Sequence, residues 1–590
     1  MVTLTIDDTK LEVPAGTSIL EAARSIGLRI PTLCYLKDSH CVGACRVCLV
    51  EVKGSRTLVA SCAMPVADNM VVHTNTARVR ESRRTVVELL LSEHEGDCQT
   101  CPRGEDCELQ KIATEMGVRE VRYAGEKSHR PKDTSTPALV RNSEKCILCR
   151  RCVTVCGEVQ GVGALFPQSR GFKTIVGPAF CGELDDMVCV QCGQCAAVCP
   201  VGAICENDQI DEVWKALEDP TKHVVVQTAP AIRAALGECF GYPPGTLVTG
   251  KMVTALRKLG FKAVFDTNFT ADLTILEEGT ELLMRLKRAI VDKEPVALPM
   301  STSCSPGWIK FMEHFYPDML ENLSTCKSPQ QMFGAIAKTY YAEKIGKKPQ
   351  DMFVVSIMPC TAKKFEAARP EMNSSGARDV DVVLTTRELG RMIRQAGIDF
   401  TGLSDGEMDA PLGLSSGAAD IFANTGGVME AALRTAYEIV TGRELPFENL
   451  HVKPIEGLQG VKEASIKIEG ALPAWSFLEG VTANIAVAHG LGNANSLIQR
   501  IRAGQAQYHF IEVMTCPGGC IGGGGQPRMT TNEVRKARIA AIYSEDEGKK
   551  LRKSHENPAV QQLYKEFLGV PLGEKSHHLL HTHYQPREKV

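Results

Sequence analysis

Twenty-four cysteines, many in tight groups, constrain this chain of 590 residues more than any other feature. Cys146-x2-Cys149-x2-Cys152-x3-Cys156 recurs as Cys189-x2-Cys192-x2-Cys195-x3-Cys199, followed by Pro200. A disulfide framework belongs to short secreted domains. This chain is long and opens Met1-Val2-Thr3-Leu4-Thr5-Ile6-Asp7, with no basic segment running into an apolar one. The thiols therefore point to metal sites, and the fold must bring cysteines from several loops round each one.

The repeated run has the spacing of bacterial two-cluster ferredoxins, in which the fourth cysteine of each run ligates the other cluster. Cys146, Cys149, Cys152 and Cys199 are assigned to one [4Fe–4S] cluster, and Cys189, Cys192, Cys195 and Cys156 to a second. Upstream, Val2, Leu4 and Ile6 alternate with Thr3, Thr5 and Asp7, and a turn leads to Leu11-Glu12-Val13. Thr17 can cap a short helix carrying Ile19, Leu20, Ala23 and Ile26, which ends near Gly27. Hairpin, helix and cysteine loop predict a β-grasp unit whose Cys34, Cys45, Cys48 and Cys62 hold a [2Fe–2S] cluster. Cys41 competes for the second place and ranks below Cys45, which keeps the CxxC pair; a zinc ribbon is the alternative. A helix expected over about 78–91 sets Val79, Val86, Val87 and Leu90 on one side and Arg80, Arg83 and Arg84 outside. After it, His94-x3-Cys98-x2-Cys101-x5-Cys107 offers one imidazole and three thiolates, which suit zinc or a [4Fe–4S] cluster; the neighbouring modules favour the cluster.

A chain of this length needs several domains. Its net charge of −3, without a long basic block, argues against a nucleic-acid partner. No stretch of about eighteen uninterrupted apolar residues predicts direct membrane insertion, so a cytoplasmic protein is expected. From about residue 220, strands and helices alternate: 224–226, 353–357, 380–384 and 510–513 read as buried strands, and 428–440 as a helix after Thr425-Gly426-Gly427. This predicts an α/β core with parallel sheets and sites at strand ends. The loops there carry Cys304, Cys360, Cys516 and Cys520. One buried cysteine is usually packing. Thiols beside Pro or Gly in three separate loops fit a closed metal site better, and the glycines after Cys516 and Cys520 let backbone approach a bulky group.

Thr302-Ser303-Cys304-Ser305-Pro306-Gly307-Trp308, Met358-Pro359-Cys360-Thr361-Ala362-Lys363-Lys364-Phe365-Glu366 and residues 512–527 resemble the three signature loops of [FeFe]-hydrogenases. The resemblance spans essentially the whole chain, including Arg552-Lys553-Ser554-His555-Glu556-Asn557. It is to the long, multi-cluster form, found as single-chain clostridial enzymes and as catalytic subunits of NAD(P)-linked, electron-bifurcating hydrogenases. It implies a multidomain α+β and α/β protein: a β-grasp [2Fe–2S] domain over 1–78, a [4Fe–4S] domain with one histidine and three cysteine ligands over 79–125, a 2[4Fe–4S] ferredoxin domain over 135–210, and a two-lobed α/β hydrogenase domain with its tail over 220–590. It further implies an H-cluster, a [4Fe–4S] cubane sharing one thiolate with a di-iron unit that carries CO, CN⁻ and an azadithiolate. Cys360, Cys516 and Cys520 would be ligands, Cys520 bridging; Lys363 and Gln330 would contact diatomic ligands, and Met358 and Met514 would pack round the di-iron unit. The family's first loop has two adjacent cysteines, a proton relay then a ligand, where this chain has Cys304 then Ser305. A gap-free register makes Cys304 the relay and leaves serine at the fourth ligand position. A shifted loop makes Cys304 the ligand and Ser305 the relay, and is preferred because serine is a poor cluster ligand. Thr515 is a second departure, from the family's alanine.

Glu278, Glu281, Ser324 and Arg285 match the family's proton path; an exposed, salt-bridged helix start is the alternative for the two glutamates. The expected activity is reversible H₂ oxidation. Its electrons would pass through four accessory clusters, three [4Fe–4S] and one [2Fe–2S], to ferredoxin or to flavin- and NAD(P)-binding and small iron–sulfur partner subunits. No Gly-rich βαβ fingerprint is present, so any pyridine nucleotide is expected on a partner. The alternative is an H₂ sensor or a non-catalytic iron–sulfur scaffold.

Overall fold

The computed structural model describes residues 1–37, 39–124, 131–445, 453–454 and 460–588; the domain limits expected at 125 and 590 lie outside them. At the front, Val2–Ile6 pairs antiparallel with Thr9–Val13 and parallel with Met70–His73, and Leu49–Val52 and Val59–Ala60 complete a five-stranded sheet. Alternation puts Leu4, Ile6, Val50 and Val72 on the inner face, where they close on Ile19 and Leu20 of the helix Ile19–Ser25. The cap is Ser18 rather than Thr17: Ser18 Oγ accepts from the Glu21 N–H at 3.2 Å, while the Thr17 hydroxyl donates to the Pro14 carbonyl. The next helix, Ala77–Glu93, departs from expectation at Arg83, which is buried and donates Nε–H to the Leu49 carbonyl at 2.9 Å. This arginine fastens helix to sheet instead of facing water.

The strands Leu139–Arg141 and Ile204–Glu206 pair antiparallel and bracket the two cysteine runs. One apolar cluster runs from Leu33 and Val47 through Ile147 and Val190 into Trp308 and Val513, so the cluster modules are packed against the second half of the chain.

That half has two sheets. Ala263–Asp266, His223–Thr228, Met352–Met358 and Val382–Thr385 form a parallel four-stranded sheet in that order. The other runs Met300–Ser301, Phe510–Met514, Thr482–His489, Val461–Lys467 and Lys453–Pro454; its first three strands are parallel and its last two pair antiparallel, so it is mixed where all-parallel pairing was expected. The helix Thr267–Lys287, capped by Asp266, packs against helix Pro329–Ile336 of one lobe and Gly427–Thr441 of the other. The chain's end wraps back onto this helix: Asn557 Nδ2 donates to Asp272 at 2.9 Å, and Leu572 N–H donates to Glu277 at 2.9 Å. Among the described residues no helix is long and apolar enough to cross a membrane.

Candidate active site and its cluster chain

Two strand ends, at Met358 and Met514, deliver their loops to one cavity between the lobes. Cys304, Ser305, Gln330, Met358, Cys360 and Lys363 line it, together with Met514, Thr515, Cys516 and Cys520. Every side chain expected at the centre is therefore brought together, apart from the proton-path residues behind it.

The loops reach the cavity because glycine lets backbone touch backbone. A Cβ on Gly523 would stand 2.2 Å from the Pro359 carbonyl oxygen, and Gly519, at φ +92°, would meet Thr425 N at 2.6 Å. The donor set suits a cationic metal group. Burial first, then the Cys360 thiol, pushes Cys520 up to about 12, and burial and Cys360 raise Cys516 as well. Thiolates gathered in such a site need a positive partner. Gln330 adds an unpaired acceptor: its Nε2 donates to the Lys363 carbonyl at 3.2 Å and to Glu366 at 3.0 Å, while its Oε1 has no partner. Lys363 Nζ donates to the Cys304 carbonyl at 3.0 Å and to Glu366 Oε2 at 2.9 Å. Glu366, which orients both Lys363 and Gln330, stands three residues beyond Lys363 on the short helix Ala362–Ala367; it is part of the second sequence motif, which assigns it no role.

In the first loop, Cys304 and Ser305 both line the cavity but have different neighbours. The Cys304 thiol is raised well above its usual range by burial and then by Glu278. The Ser305 hydroxyl lies 2.7 Å from Thr515 Oγ1 and accepts from the Thr515 N–H at 3.2 Å. Ser305 is also the N-cap of helix Pro306–Phe315, yet its hydroxyl makes no capping bond, being turned to Thr515. The two positions that depart from the family's pattern are thus in contact.

Glu278 and Glu281 are buried in the long helix, not at an exposed helix start. Burial, then the Glu281 charge, lifts Glu278 to about 8. Neither of its oxygens makes a standard hydrogen bond, the nearest donors being the Ser324 hydroxyl and the Ser303 N–H. Ser324 Oγ donates to Glu281 Oε2 at 2.7 Å, and Arg285 pairs with Glu281 Oε1 at 2.6 Å. Glu512, a lone acid in an apolar strand, also went unread. Burial raises it to about 7, and it accepts from the N–H groups of Gly426 at 2.6 Å and Met429 at 2.7 Å.

The other cysteines form separate pockets leading away from this cavity. Cys156, Cys189, Cys192 and Cys195 line one; Cys146, Cys149, Cys152 and Cys199 line another. The first abuts the active site: Gln194 Nε2 donates to the Gly522 carbonyl at 2.9 Å, Thr361 Oγ1 to the Gln191 carbonyl at 2.7 Å, and the Cys192 thiol feels Cys516. At the front, Cys34, Cys45, Cys48 and Cys62 are buried together, with Cys48 and Cys62 sulfurs 3.4 Å apart, whereas Cys41 is exposed and its thiol turns to the Cys62 carbonyl. His94 is buried with Nδ1 unpaired, near Lys145, whose Nζ pairs with Asp97; Cys107 feels Cys101, and Cys98 is exposed.

Comparison with known proteins gives these sites a family. A model of the iron-only hydrogenase large subunit, C-terminal domain, matches residues 222–524, and one of the iron hydrogenase small subunit matches 532–587. Models of a 2Fe-2S cluster binding domain, an NADH-ubiquinone oxidoreductase-G iron-sulfur binding region and a 4Fe-4S dicluster domain match 1–77, 83–122 and 145–203. The chain is 54% identical to an NADP-reducing hydrogenase subunit, HndD, of Solidesulfovibrio fructosivorans, over 100% of both chains. It is 41% identical to iron hydrogenase 1 of Clostridium pasteurianum, over 99% of this chain and 100% of that one. The solved [FeFe]-hydrogenase HydA1 of Chlamydomonas reinhardtii superposes with a TM-score of 0.59 at 46% identity, covering 64% of this chain and 99% of its own. With its three thiol-bearing loops closed on one cavity and these matches along its whole length, the chain belongs to the iron-only, or [FeFe]-, hydrogenases.

Proposed function

We propose that this hydrogenase oxidises H₂ at the cavity bounded by Cys304, Cys360, Cys516 and Cys520, and passes the electrons to ferredoxin and to flavin-containing, NAD(P)-binding partner subunits. The observation that carries the reading is the convergence of these loops on one cavity whose wall touches the Cys192 loop. An H-cluster bound there supplies the metal chemistry of H₂ cleavage and formation. The chain's own residues hold and serve it. Cys360, Cys516 and Cys520 would hold it as thiolates; Lys363, steadied by Glu366, presents a cation, and Gln330 an amide. Met358 and Met514 keep water from the site.

Cys304 exchanges protons with Glu278, and Ser324, Glu281 and Arg285 continue the path outward. The Glu278 value of about 8 suits a group that both takes and gives a proton near neutrality. The gap-free register is supported by the contact of Ser305 with Thr515 and by the influence of Glu278 on the Cys304 thiol. Ser305 would then hold the cubane together with the three thiolates. A serine oxygen there is supported by the Thr515 N–H and by its place at a helix N-terminus, both of which favour negative charge.

Cys156, Cys189, Cys192 and Cys195 would hold the cluster beside the cavity and Cys146, Cys149, Cys152 and Cys199 the next, with the His94 and [2Fe–2S] sites beyond, and these groups would supply the electron route. Likeness to an NADP-reducing subunit and to an NADH-ubiquinone oxidoreductase-G region supports partners that carry the pyridine nucleotide, with bifurcation to ferredoxin as the second outlet. The test is H₂-driven reduction of an artificial one-electron acceptor by the cofactor-loaded chain, then of NADP⁺. The first should proceed with this chain alone and the second only with partner subunits present. NADP⁺ reduction by the isolated chain would refute the partner assignment, and no turnover with either acceptor would refute the function.

A further inference from the structure

Behind the proton path, Glu281 of that path meets two ligating side chains, Cys326 and His581, that the reaction leaves unused. The end of the chain pairs back on the segment after Ser324: Lys327 N–H donates to the Leu580 carbonyl and Thr582 N–H to the Thr325 carbonyl, each at 2.8 Å, with Cys326 bridged to His581. This pairing sets Cys326 against His581, and both against Glu281 of helix Thr267–Lys287. Cys326 Sγ is 3.9 Å from Glu281 Oε2 and 3.9 Å from His581 Nδ1. The three ligand atoms lie within 4.8 Å of one another, and all three residues are buried. A tetrahedral zinc site of one sulfur, one nitrogen and one oxygen has edges of roughly 3.4–3.6 Å, so shifts of about 1 Å close it.

The surroundings prepare the histidine. His581 Nε2 lies 3.2 Å from Glu277 Oε2; with Nε2–H given to that carboxylate, the Nδ1 lone pair faces Cys326. A carboxylate behind the ligating histidine is the usual support in zinc sites. Glu277 is itself fixed by the Tyr564 and Ser576 hydroxyls and the Leu572 N–H, and these bonds and the one to His581 hold it below the usual carboxylate range against its burial. Glu281 is divided between two tasks: Arg285 takes Oε1, and Oε2 is turned toward Ser324 and Cys326. Burial, then the neighbouring Glu281, Glu278 and Glu277, raises the Cys326 thiol well above its usual range, and Arg285 pairs with Glu281 alone, its other bonds going to backbone carbonyls. The Thr325 hydroxyl, 2.8 Å from Nδ1, would yield to an entering ion or become its fourth ligand.

We propose that Glu281, Cys326 and His581 form a binding site for a borderline-soft divalent cation of the zinc type, and that its occupancy withdraws Glu281 from proton transfer. The second half rests on the proton path proposed above. Binding forms a Zn–S bond and releases the Cys326 proton to solvent, with no change of oxidation state.

The test titrates zinc chloride into the chelator-washed, cofactor-loaded enzyme and follows bound zinc, its X-ray absorption edge and H₂ oxidation. One zinc with a single sulfur ligand is expected, with turnover falling at least tenfold as it binds. Cys326→Ser and His581→Gln should each weaken zinc binding at least tenfold while iron content and zinc-free activity stay near wild type; two variants guard against one failing to fold. Zinc bound without sulfur, or affinity unchanged in Cys326→Ser, would overturn the site. A single-sulfur zinc with undiminished turnover would instead overturn the Glu281 relay and the inhibitory half of the proposal.

Discussion

Glu278 shows how a single residue couples the reaction to stability. Burial beside Glu281 lifts its carboxyl to about 8. Between the unfolded value near 4.5 and that point, the folded protein holds a proton the unfolded chain has released, so stability falls as pH rises through this window. Glu278→Gln should remove that slope, read as a smaller difference between Tm at pH 5 and pH 8. It should also lower H₂ oxidation by roughly 10²-fold or more at unchanged iron content. In the wild type, oxidation should rise as pH passes about 8, where Glu278 is free to accept. The Ser305 assignment is tested by spectroscopy of the cubane. Ser305→Ala should lose its signal, and Ser305→Cys should keep it at a higher potential, because a hard oxygen donor favours the oxidised irons. Cys304→Ala should keep the signal and lose turnover; loss of the cubane in Cys304→Ala instead would restore the shifted loop. The sequence pointed to the shifted loop, because serine is a poor cluster ligand, and could not show Ser305 meeting Thr515, which is 210 residues away.

Among elements, those read correctly were those whose rule is local. The cysteine runs at 146–156 and 189–199 carry their ligand spacing in a few residues, and the strands Met352–Met358 and Phe510–Met514 carry theirs in an unbroken apolar run. Misreadings came where a distant partner decides. Arg83 looked like a solvated face and is tied to Leu49, and the antiparallel edge of the second sheet has no signature in any single strand. The Gly522–Gly525 stretch is a joint between elements: a Cβ on Gly524 would stand 2.2 Å from the Cys192 carbonyl oxygen and 2.6 Å from Gly193 C. Both neighbours are backbone, so neither can rotate away. Gly524→Ala should cost about 1–3 kcal/mol of stability, and slow H₂-driven acceptor reduction at least tenfold by parting the Cys192 loop from the Cys516 loop. Gly548→Ala, with nothing within 4 Å, should leave both unchanged. Equal rates in the two variants would contradict the role of this joint.

At the scale of the whole molecule, the chain is a catalytic cavity with cluster modules packed on one side and its own C-terminal segment on the other. The solved algal relative spans 64% of this chain, so the front modules are what this enzyme adds to a core found alone elsewhere. Their order was legible from cysteine spacing; their packing against the second lobe through Leu33, Ile147, Trp308 and Val513 was not, because it joins residues hundreds of positions apart. The tail's return to Glu277 was equally hidden, since Tyr564, Ser576 and His581 look like ordinary helix residues until the fold brings them there. The central claim is that Cys360, Cys516 and Cys520 hold an H-cluster. Infrared spectroscopy of the protein matured with its dedicated assembly proteins tests it most directly. CO and CN⁻ stretching bands that shift on exposure to H₂, and that are lost in Cys520→Ala, are the predicted result; a fully iron-loaded protein without such bands would contradict it.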